Sequence, residues 1–404
     1  MSKQILWNTV GSVFYSACQW IITIFVVHIA SYEMAGYLSL AMTTSSSFSA
    51  IALCSMRNFQ VSDVTGEYSS GQYVTSRFLT CGAAFLVCIL AGFGNSPYQL
   101  FCIMAFMLIR VSEALVDVMH GINQKYERYD LIGISYILRG LITVIAFSVG
   151  LAITQNMVLT LFLVAVLTLF TAVCFDLLQT YRLERFRLNF TDKQVVVLLL
   201  QCAPLVVFTF LLSMENLVPK MVLQALYDTE TLGVYSTIAS PTLVIQVCAS
   251  VIFNPLIPRL SLKFHEGRIE ELRKALHKIY GMLLLMCVIV VIGAVLLGRW
   301  GLTVLFGSDI LANYDLFLPI VVCTLCTGIV WIQSAIVILL RKMKALLAGI
   351  VIDFAICALV SVPMIRSLGA NGVSYVQILV LLLFIIYMMV VCEHTIKKES
   401  AGHE

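Results

Sequence analysis

The sequence predicts an all-α polytopic membrane protein: about twelve transmembrane helices in two parallel six-helix lobes around a central cavity. Three observations predict it. Of the 404 residues, 60% are hydrophobic and only 12% charged, roughly half the charge of a soluble domain. Apolar runs of about 18 residues or more, each able to cross a bilayer, recur along nearly the whole length. A short motif, "EMAGYLS" at Glu33–Ser39, returns as "ETLGVYS" at Glu230–Ser236, with Glu, Gly and Ser matched at an offset of 197 residues. That offset holds six spans, an even number, so both halves face the membrane the same way and the repeat is parallel. Both copies fall between the first and second helix of a half. Each second helix ends in an inner loop with a glycine near the same place, Gly71 and Gly267.

The expected spans are 5–29, 36–56, 77–94, 98–119, 131–153, 156–178, 198–222, 233–254, 279–298, 314–340, 345–364 and 372–392. The first is too long for a signal-peptide core and has no small-residue cleavage site, so it reads as a retained helix. The second, "LSLAMTTSSSFSAIALCS", is rich in hydroxyls that allow close helix packing and can also line a wet cavity. The tenth holds Cys323 and Cys326, the only CxxC pair among thirteen cysteines. Nearly all the cysteines lie in apolar runs, where they read as small polarisable packing residues, with no metal site expected.

Orientation follows from Lys and Arg. Alternate connections hold 20 of them in one set, against Arg299, Arg366 and Lys220 in the other. The bias puts both termini in the cytoplasm, whereas the net charge of +3 says little. The outer connections ("SYEMA", "GNSP", "TQ") leave no extracytoplasmic domain for an enzyme site. The sequon at Asn189 falls on the cytoplasmic side and is discounted. The longest inner loops are Arg57–Ser76 and Pro255–Lys278. In the second, "HEGRIEELRKALHK" reads as a solvated or surface-lying helix, with Glu270 four residues before Lys274. The loop at 179–197 joins residues 1–190, the first lobe, to residues 191–404, the second lobe with a short cytoplasmic tail.

Charged side chains in hydrocarbon are costly and need partners or water. In "LIRVSEALVDVMHG", Arg110, Glu113, Asp117 and His120 share one helical face. Arg110 lies roughly 14 Å from the inner end of its span and Arg139 about 12 Å into the next, at 1.5 Å per residue. Arg110, Glu113 and Arg139 can therefore share one depth, either as a packing ion pair or as a cavity cluster with surplus positive charge. Aligning "LIGISYILR" with "LLAGIVIDF" through Gly133 and Gly349 sets Asp353 about one turn before the counterpart of Arg139. It is a candidate proton or cation site, or a partner for a first-lobe arginine.

In "SMENLVPKMV", Pro219 lacks an amide hydrogen and crowds the Glu215 carbonyl, which predicts a kink and a hinge. Asn216 and Lys220 are four apart on one face, with Glu215 ordering the kink; Lys220 otherwise snorkels to outer headgroups. No P-loop, GxGxxG after a strand or HExxH is present, which excludes an ATP-driven pump on this chain and leaves no cofactor expected. Nothing points to nucleic acid.

Several stretches resemble one family. "VMHGINQKYERYDLIGISYILRG" resembles the fourth-to-fifth-helix region of polysaccharide-export flippases. "NLVPKMVLQALYDTETLGVYSTIASP" followed by "IFNPLIPRLS" resembles their seventh and eighth helices. "VLFGSDILANY" and "SLGANGVSYV" resemble their later periplasmic turns. The order and spacing of these stretches, over most of the chain, carry a resemblance to the Wzx-type lipid-linked oligosaccharide flippases of the multidrug/oligosaccharidyl-lipid/polysaccharide superfamily. The resemblance implies a MATE-like fold in the bacterial inner membrane. It also implies flipping of undecaprenyl-diphosphate-linked repeat units to the outer leaflet for O-antigen (lipopolysaccharide), capsule or exopolysaccharide assembly, beside a polysaccharide polymerase and chain-length proteins. In that frame Arg110, Arg139, Asn216 and Lys220 are the expected substrate-binding residues, Glu113, Glu215 and Asp353 supporting or ion-coupling ones, and coupling to a H+ or Na+ gradient stays open. An ion-coupled multidrug exporter, kept open by Asp353 and Glu215, and a membrane-embedded glycan polymerase or ligase are the alternatives.

The charge bias makes one expectation directly testable. A reporter fused after Lys398 should be active only if it works in the cytosol. Activity of a periplasm-dependent reporter at that site would remove the assigned orientation.

Overall fold

The computed structural model describes residues 3–63, 66–253, 256, 260, 262–264 and 266–402. Arg259, Pro255 and most of "IFNPLIPRLS", on which parts of the sequence reading rested, lie outside them. The regular structure of the described residues is all helical, with no strand among them.

The first half contains α1 (Lys3–Ile29), α2 (Tyr32–Leu53), the short α3 (Met56–Ser62), α4 (Ser70–Gly92), α5 (Pro97–Lys125), α6 (Tyr129–Thr154) and α7 (Met157–Thr171). α7 continues through a π-helical turn, Ala172–Leu177, into α8 (Leu178–Leu183). The second half contains α9 (Lys193–Leu226), α10 (Thr229–Ala239), a 3-10 turn at Ser240–Thr242, α11 (Leu243–Phe253) and α12 (Ile269–Phe306). A 3-10 segment, Asp309–Leu316, leads into α13 (Phe317–Leu339), followed by α14 (Met343–Leu368) and α15 (Asn371–Gly402). Leaving out the seven-residue α3 and counting α7–α8 and α10–α11 as one span each gives the twelve expected.

Among the described residues nine helices are long and apolar enough to cross a membrane. The other three spans are α2 with its serine run, α5 with Arg110, Glu113 and Asp117, and the α10–α11 span interrupted at Pro241.

The chain divides into two compact units, Met1–Leu217 and Val218–Glu404. The division falls inside α9, later than the linker-based boundary at 190/191, because the first part of α9 packs on the first unit. Leu198 and Cys202 share a core with Tyr73 and Val118, Ser47 donates to the Ser213 carbonyl at 3.1 Å, and the Phe48 and Phe210 rings lie 5.7 Å apart.

Within each unit the contacts fix the alternation of helix directions. In the first, a Cβ on Gly11 would meet the Gly133 carbonyl oxygen at 2.6 Å and one on Gly140 the Cys18 sulfur at 3.0 Å. The two contacts advance seven residues along both helices, so α1 and α6 run parallel, as spans one and five must. Small residues permit this approach. The starts of α2, α5 and α7 meet: the Tyr37 and Tyr98 rings are 4.8 Å apart, and the Tyr98 hydroxyl accepts from the Met157 N–H at 2.9 Å. In the second unit Asn371, at the start of α15, donates to Asp315 at 2.8 Å, and Tyr227, at the end of α9, donates to the Ile365 carbonyl near the end of α14.

The repeated motif is a helix start in both copies. Ser31 caps α2 by accepting from the Met34 N–H, and Asp228 caps α10 by accepting from the Thr231 N–H. Glu33 and Glu230 then sit in the first turn, where the helix dipole favours a carboxylate. The two glycines proposed to match do different things. Gly71 lies in the first turn of α4 against the Arg187 backbone, whereas Gly267 has φ +70 in the turn before α12. Gly133 and Gly349 likewise face different neighbours: Gly133 meets Trp7 on α1, Gly349 meets Tyr387 and Phe384 on α15.

One loop reading is corrected: Arg77, counted among the 20 cations of the inner connections, belongs to α4 and is fully buried, because Ser69 and Gln72 form a capping box that starts the helix at Ser70. From Ile269 on, the charged stretch before span nine is helical, and it is the beginning of the 38-residue α12, which at 1.5 Å per residue is about 57 Å long, nearly twice a hydrocarbon core. The linker after α8 is tied to α4: Gln72 donates to Asp192 at 2.7 Å and the Asn189 N–H to the Thr75 hydroxyl at 3.1 Å. The Gln72 amide and the Gln194 N–H hold the Asp192 carboxyl below the usual carboxylate range. Asn189 itself accepts from the Thr191 N–H and hydroxyl, so the sequon residues form a local turn.

Arg77 donates to the Ala52 carbonyl at 2.7 Å and to Asp117 at 2.8 Å, and Arg57 reaches the same carboxylate at 3.4 Å. Arg77 is wholly buried while Arg57 and Asp117 are 23% and 22% exposed at their side chains. Arg77→Ala should therefore destabilise the detergent-purified protein by about 3 kcal/mol, and Arg57→Ala by less than about 1 kcal/mol. Thermal unfolding of both variants checks this; equal shifts would show that burial does not separate the two arginines.

Candidate functional site

α5 carries the residues singled out by sequence, and the first unit supplies each with a partner from another helix. Arg110 donates to Glu113 at 2.6 Å, one turn on, and to the Ser46 hydroxyl of α2 at 2.8 Å. Its guanidinium also lies 5.2 Å from the Phe106 ring centroid, a cation–π distance. Tyr15 of α1 donates to the other Glu113 oxygen and accepts from Gln19 at 2.8 Å. Arg139 of α6 donates to Ser112 at 3.3 Å and lies over the Tyr15 ring at 5.8 Å. Arg110, Glu113 and Arg139 are thus brought to one level, with Tyr15 between them.

The geometry separates their roles. The side chains of Arg110 and Glu113 are 20% and 18% exposed, so they offer surface to a ligand. Arg139 is only 2% exposed and sits behind Tyr15, where it adds positive potential. Two guanidinium groups against one carboxylate leave a surplus of one positive charge. In a low-dielectric setting such a surplus attracts anions, and an arginine fork grips a phosphate oxygen pair through charge-assisted hydrogen bonds.

Asp117 and His120, the other members of the α5 face, are drawn elsewhere. Asp117 takes Arg77 and Arg57, and Arg57 also donates to Gln124 at 3.1 Å. His120 faces Asp176 of the π turn at 3.5 Å. The serine-rich second span ties neighbouring helices together. Ser45 donates to the Ile103 carbonyl at 3.1 Å and Ser47 to Ser213, closing helix contacts, while Ser46 binds the Arg110 guanidinium.

α9 runs as one helix from Lys193 to Leu226, so Pro219 does not break it, although the division between units falls two residues before the proline. Glu215 is buried at 4% exposure, Asn216 is exposed and Lys220 half-buried. In the second unit Lys220 lies within electrostatic reach of Cys323. Elsewhere in the unit Cys323 contacts Gln377 at 3.0 Å, the Tyr235 and Ser374 hydroxyls meet at 2.9 Å, and Thr324 bonds Thr242 at 3.0 Å. Cys323 and Cys326 are both buried and free, and among the described residues no group of three or more His, Cys, Asp or Glu could hold a metal. Asp353 on α14 is buried at 3% exposure.

Tyr15, Gln19, Ser46, Ser112, Tyr136 and Asp176 escaped the sequence reading. Tyr15 and Gln19 carried a usable signal, being polar residues four apart inside an apolar first span. Removing the Tyr15 hydroxyl takes away a hydrogen bond to a charged group, so Tyr15→Phe should cost about 1.5–3 kcal/mol. Tyr15→Leu should cost more, since the ring beneath Arg139 is lost as well. Thermal unfolding ranks the two; a Leu variant as stable as Phe would remove the cation–π contribution.

No family model matches the chain. "Capsular polysaccharide biosynthesis protein CapF" of Staphylococcus aureus is 23% identical over 346 residues, 83% of this chain and 84% of that protein. Among solved structures, "Lipid II flippase MurJ, inward closed conformation" superposes with a TM-score of 0.71 at 12% identity, over 98% of this chain and 90% of that one. The Vibrio cholerae MATE transporter VcmN, solved as a mutant, gives 0.67 at 11% identity, over 99% and 96%. Neighbours of this kind are transporters and flippases, and the chain has the fold they share.

Proposed function

We propose that the protein flips undecaprenyl-diphosphate-linked oligosaccharide repeat units from the inner to the outer leaflet of the bacterial cytoplasmic membrane, by alternating access, for surface polysaccharide assembly. The observation that carries this reading is the cluster of Arg110, Glu113 and Arg139, a surplus positive charge held inside membrane-spanning helices. A diphosphate and its sugars cannot cross hydrocarbon unaided, whereas a polyprenyl tail can stay in lipid. A site for such a substrate needs a fixed cation at membrane depth more than it needs an apolar pocket. The likeness to a capsular polysaccharide biosynthesis protein and the MurJ fold support the same substrate class. Asn216 and Lys220 would receive the headgroup later in the cycle, Glu215 and Pro219 would set the local shape of α9, and Asp353 or another acid would take up a coupling H+ or Na+. Polymerase and chain-length proteins are the partners this role calls for, with both termini in the cytoplasm. A multidrug exporter would want acids facing an aromatic pocket, and the α5 cluster instead carries excess arginine.

Arg110→Ala and Arg139→Ala should each abolish glycan export while the protein stays in the membrane. Lysine at either position should restore export only in part, since the bidentate grip is lost. Full transport by an Arg110→Ala/Glu113→Ala double variant would reduce the pair to a packing element and defeat the binding role. Lys220→Gln should leave lipid-linked oligosaccharide on the inner leaflet at normal protein levels; normal export would leave snorkelling as the account of Lys220.

A further inference from the structure

The transport reading leaves one buried titratable pair of the first unit unused. His120 of α5 and Asp176 of the π turn are each 1% exposed at their side chains, and the His120 Nε2 faces an Asp176 carboxylate oxygen at 3.5 Å. Neither Nε2 nor Asp176 Oδ2 has a hydrogen-bond partner of good geometry. A carboxylate closed off from water in a membrane protein is costly without a compensating charge. The groups around the pair do not neutralise it. Arg57 of α3 and Asp117 of α5 are the other charges within reach of the imidazole, and Arg57 and Arg77 of α4 are both committed to Asp117. From α6 the ring meets Tyr136, edge on, at 4.9 Å between centroids. From α8 the neighbouring contact is neutral, Thr180 donating to Asn123 at 3.1 Å. Glu113 and Arg139 stand further along, beyond Tyr136 and Tyr15.

The π turn is what makes the pair. Its wider winding, Ala172–Leu177, interrupts the span between α7 and α8, and Asp176 within it is buried against α5 while Val173 is exposed. Single π turns inside α-helices recur at functional sites.

We propose that His120 and Asp176 form a proton-binding site whose charge is felt by the Arg110–Glu113–Arg139 cluster. With a neutral imidazole the pair carries one negative charge. A proton added to the ring makes an imidazolium beside the carboxylate and brings the pair to zero, and its loss to water restores the negative charge. His120 and Glu113 are seven residues apart on α5, about 10.5 Å. One unit of charge at that distance, at an effective dielectric near 20, is worth roughly tenfold in anion affinity. The Tyr136 ring, 4.9 Å from His120 and 5.7 Å from Tyr15, fills the space between the two sites. The proton site stands on its own geometry; only its coupling to anion binding rests on the transport reading.

The test uses the full-length protein in lipid nanodiscs, labelled with 15N-histidine, with the His120 signal assigned by its loss in His120→Gln. His120 should titrate between about pH 5 and 8, and in Asp176→Asn the curve should move by about tenfold in proton concentration or more. A His120 signal that does not titrate in that range, or a curve unchanged in Asp176→Asn, overturns the proposal. Should Asp176→Asn fail to fold, Asp176→Ser, which also removes the carboxylate, is judged by the same criterion, an unchanged curve being fatal. A second measurement adds a short-chain polyprenyl diphosphate to weakly buffered protein and follows pH with a dye. Wild type should take up protons beyond those taken by His120→Gln, by the reciprocity of linked binding; equal uptake overturns the coupling. Failure of the transport reading would show as lost diphosphate binding with the titration intact.

Discussion

The first unit is organised by the need to pair charge inside hydrocarbon. α5 carries Arg110, Glu113, Asp117 and His120 on one face, and isolated on one helix they would oppose membrane insertion. Each is matched by a different element. α2 offers Ser46, α1 offers Tyr15, α3 and α4 offer Arg57 and Arg77, α6 offers Tyr136 against His120 and Arg139 alongside the cluster, and the π turn offers Asp176. Packing around α5 is therefore specified by polar partners as much as by shape. Apolar contact between helices in lipid discriminates poorly, because lipid tails are as apolar as leucine. The same pairing leaves Arg110 and Glu113 with about a fifth of their surface uncovered, so the feature that orders the unit also exposes a charged site.

What could be read from the sequence follows from this. Helix number and parity were legible because length and hydropathy are properties of each segment alone. The joint level of Arg110, Glu113 and Arg139 was legible because two consecutive antiparallel spans tie depth to sequence distance. Tyr15 was not, since nothing in a single sequence says that span one lies against span five. Gly11 against Gly133 and Cys18 against Gly140 define that contact, and small residues are too common in membrane helices to announce a partner. Asp176 was lost for a different reason. It sits in a π turn, whose wider winding nothing in the apolar pattern of the sixth span announces. Arg77 was misplaced because a loop count treats every cation near a helix end as solvated, while the capping box at Ser69 had already begun the helix.

The two halves repeat their skeleton and not their chemistry. Ser31 and Asp228 start equivalent helices in the same way, followed by Glu33 and Glu230 and by the buried Gly36 and Gly233. Yet the counterpart of the Arg139 helix carries Asp353, and its glycine faces α15 instead of the first helix of its half. Around Cys323 the second unit builds its polar contacts from Tyr235, Thr324, Ser374 and Gln377, all neutral side chains. A duplicated scaffold that keeps caps and turns while diverging in its buried charges separates what the fold requires from what a site requires.

This separation governs how far structural likeness reaches. Superposition at 11–12% identity over nearly the whole chain shows a shared fold. Fold alone does not name a substrate. The discriminating quantity is the sign of charge that the helices hold at depth. An acid standing among aromatic rings favours a cationic drug, whereas an arginine pair outnumbering its carboxylate favours an anionic headgroup. In this chain Glu113 is already satisfied by Arg110 and Tyr15, which leaves it little capacity for a cationic ligand. The positive surplus held by Arg139 has no protein carboxylate of its own at that level among the described contacts. The local chemistry is therefore incomplete in the direction of an anion.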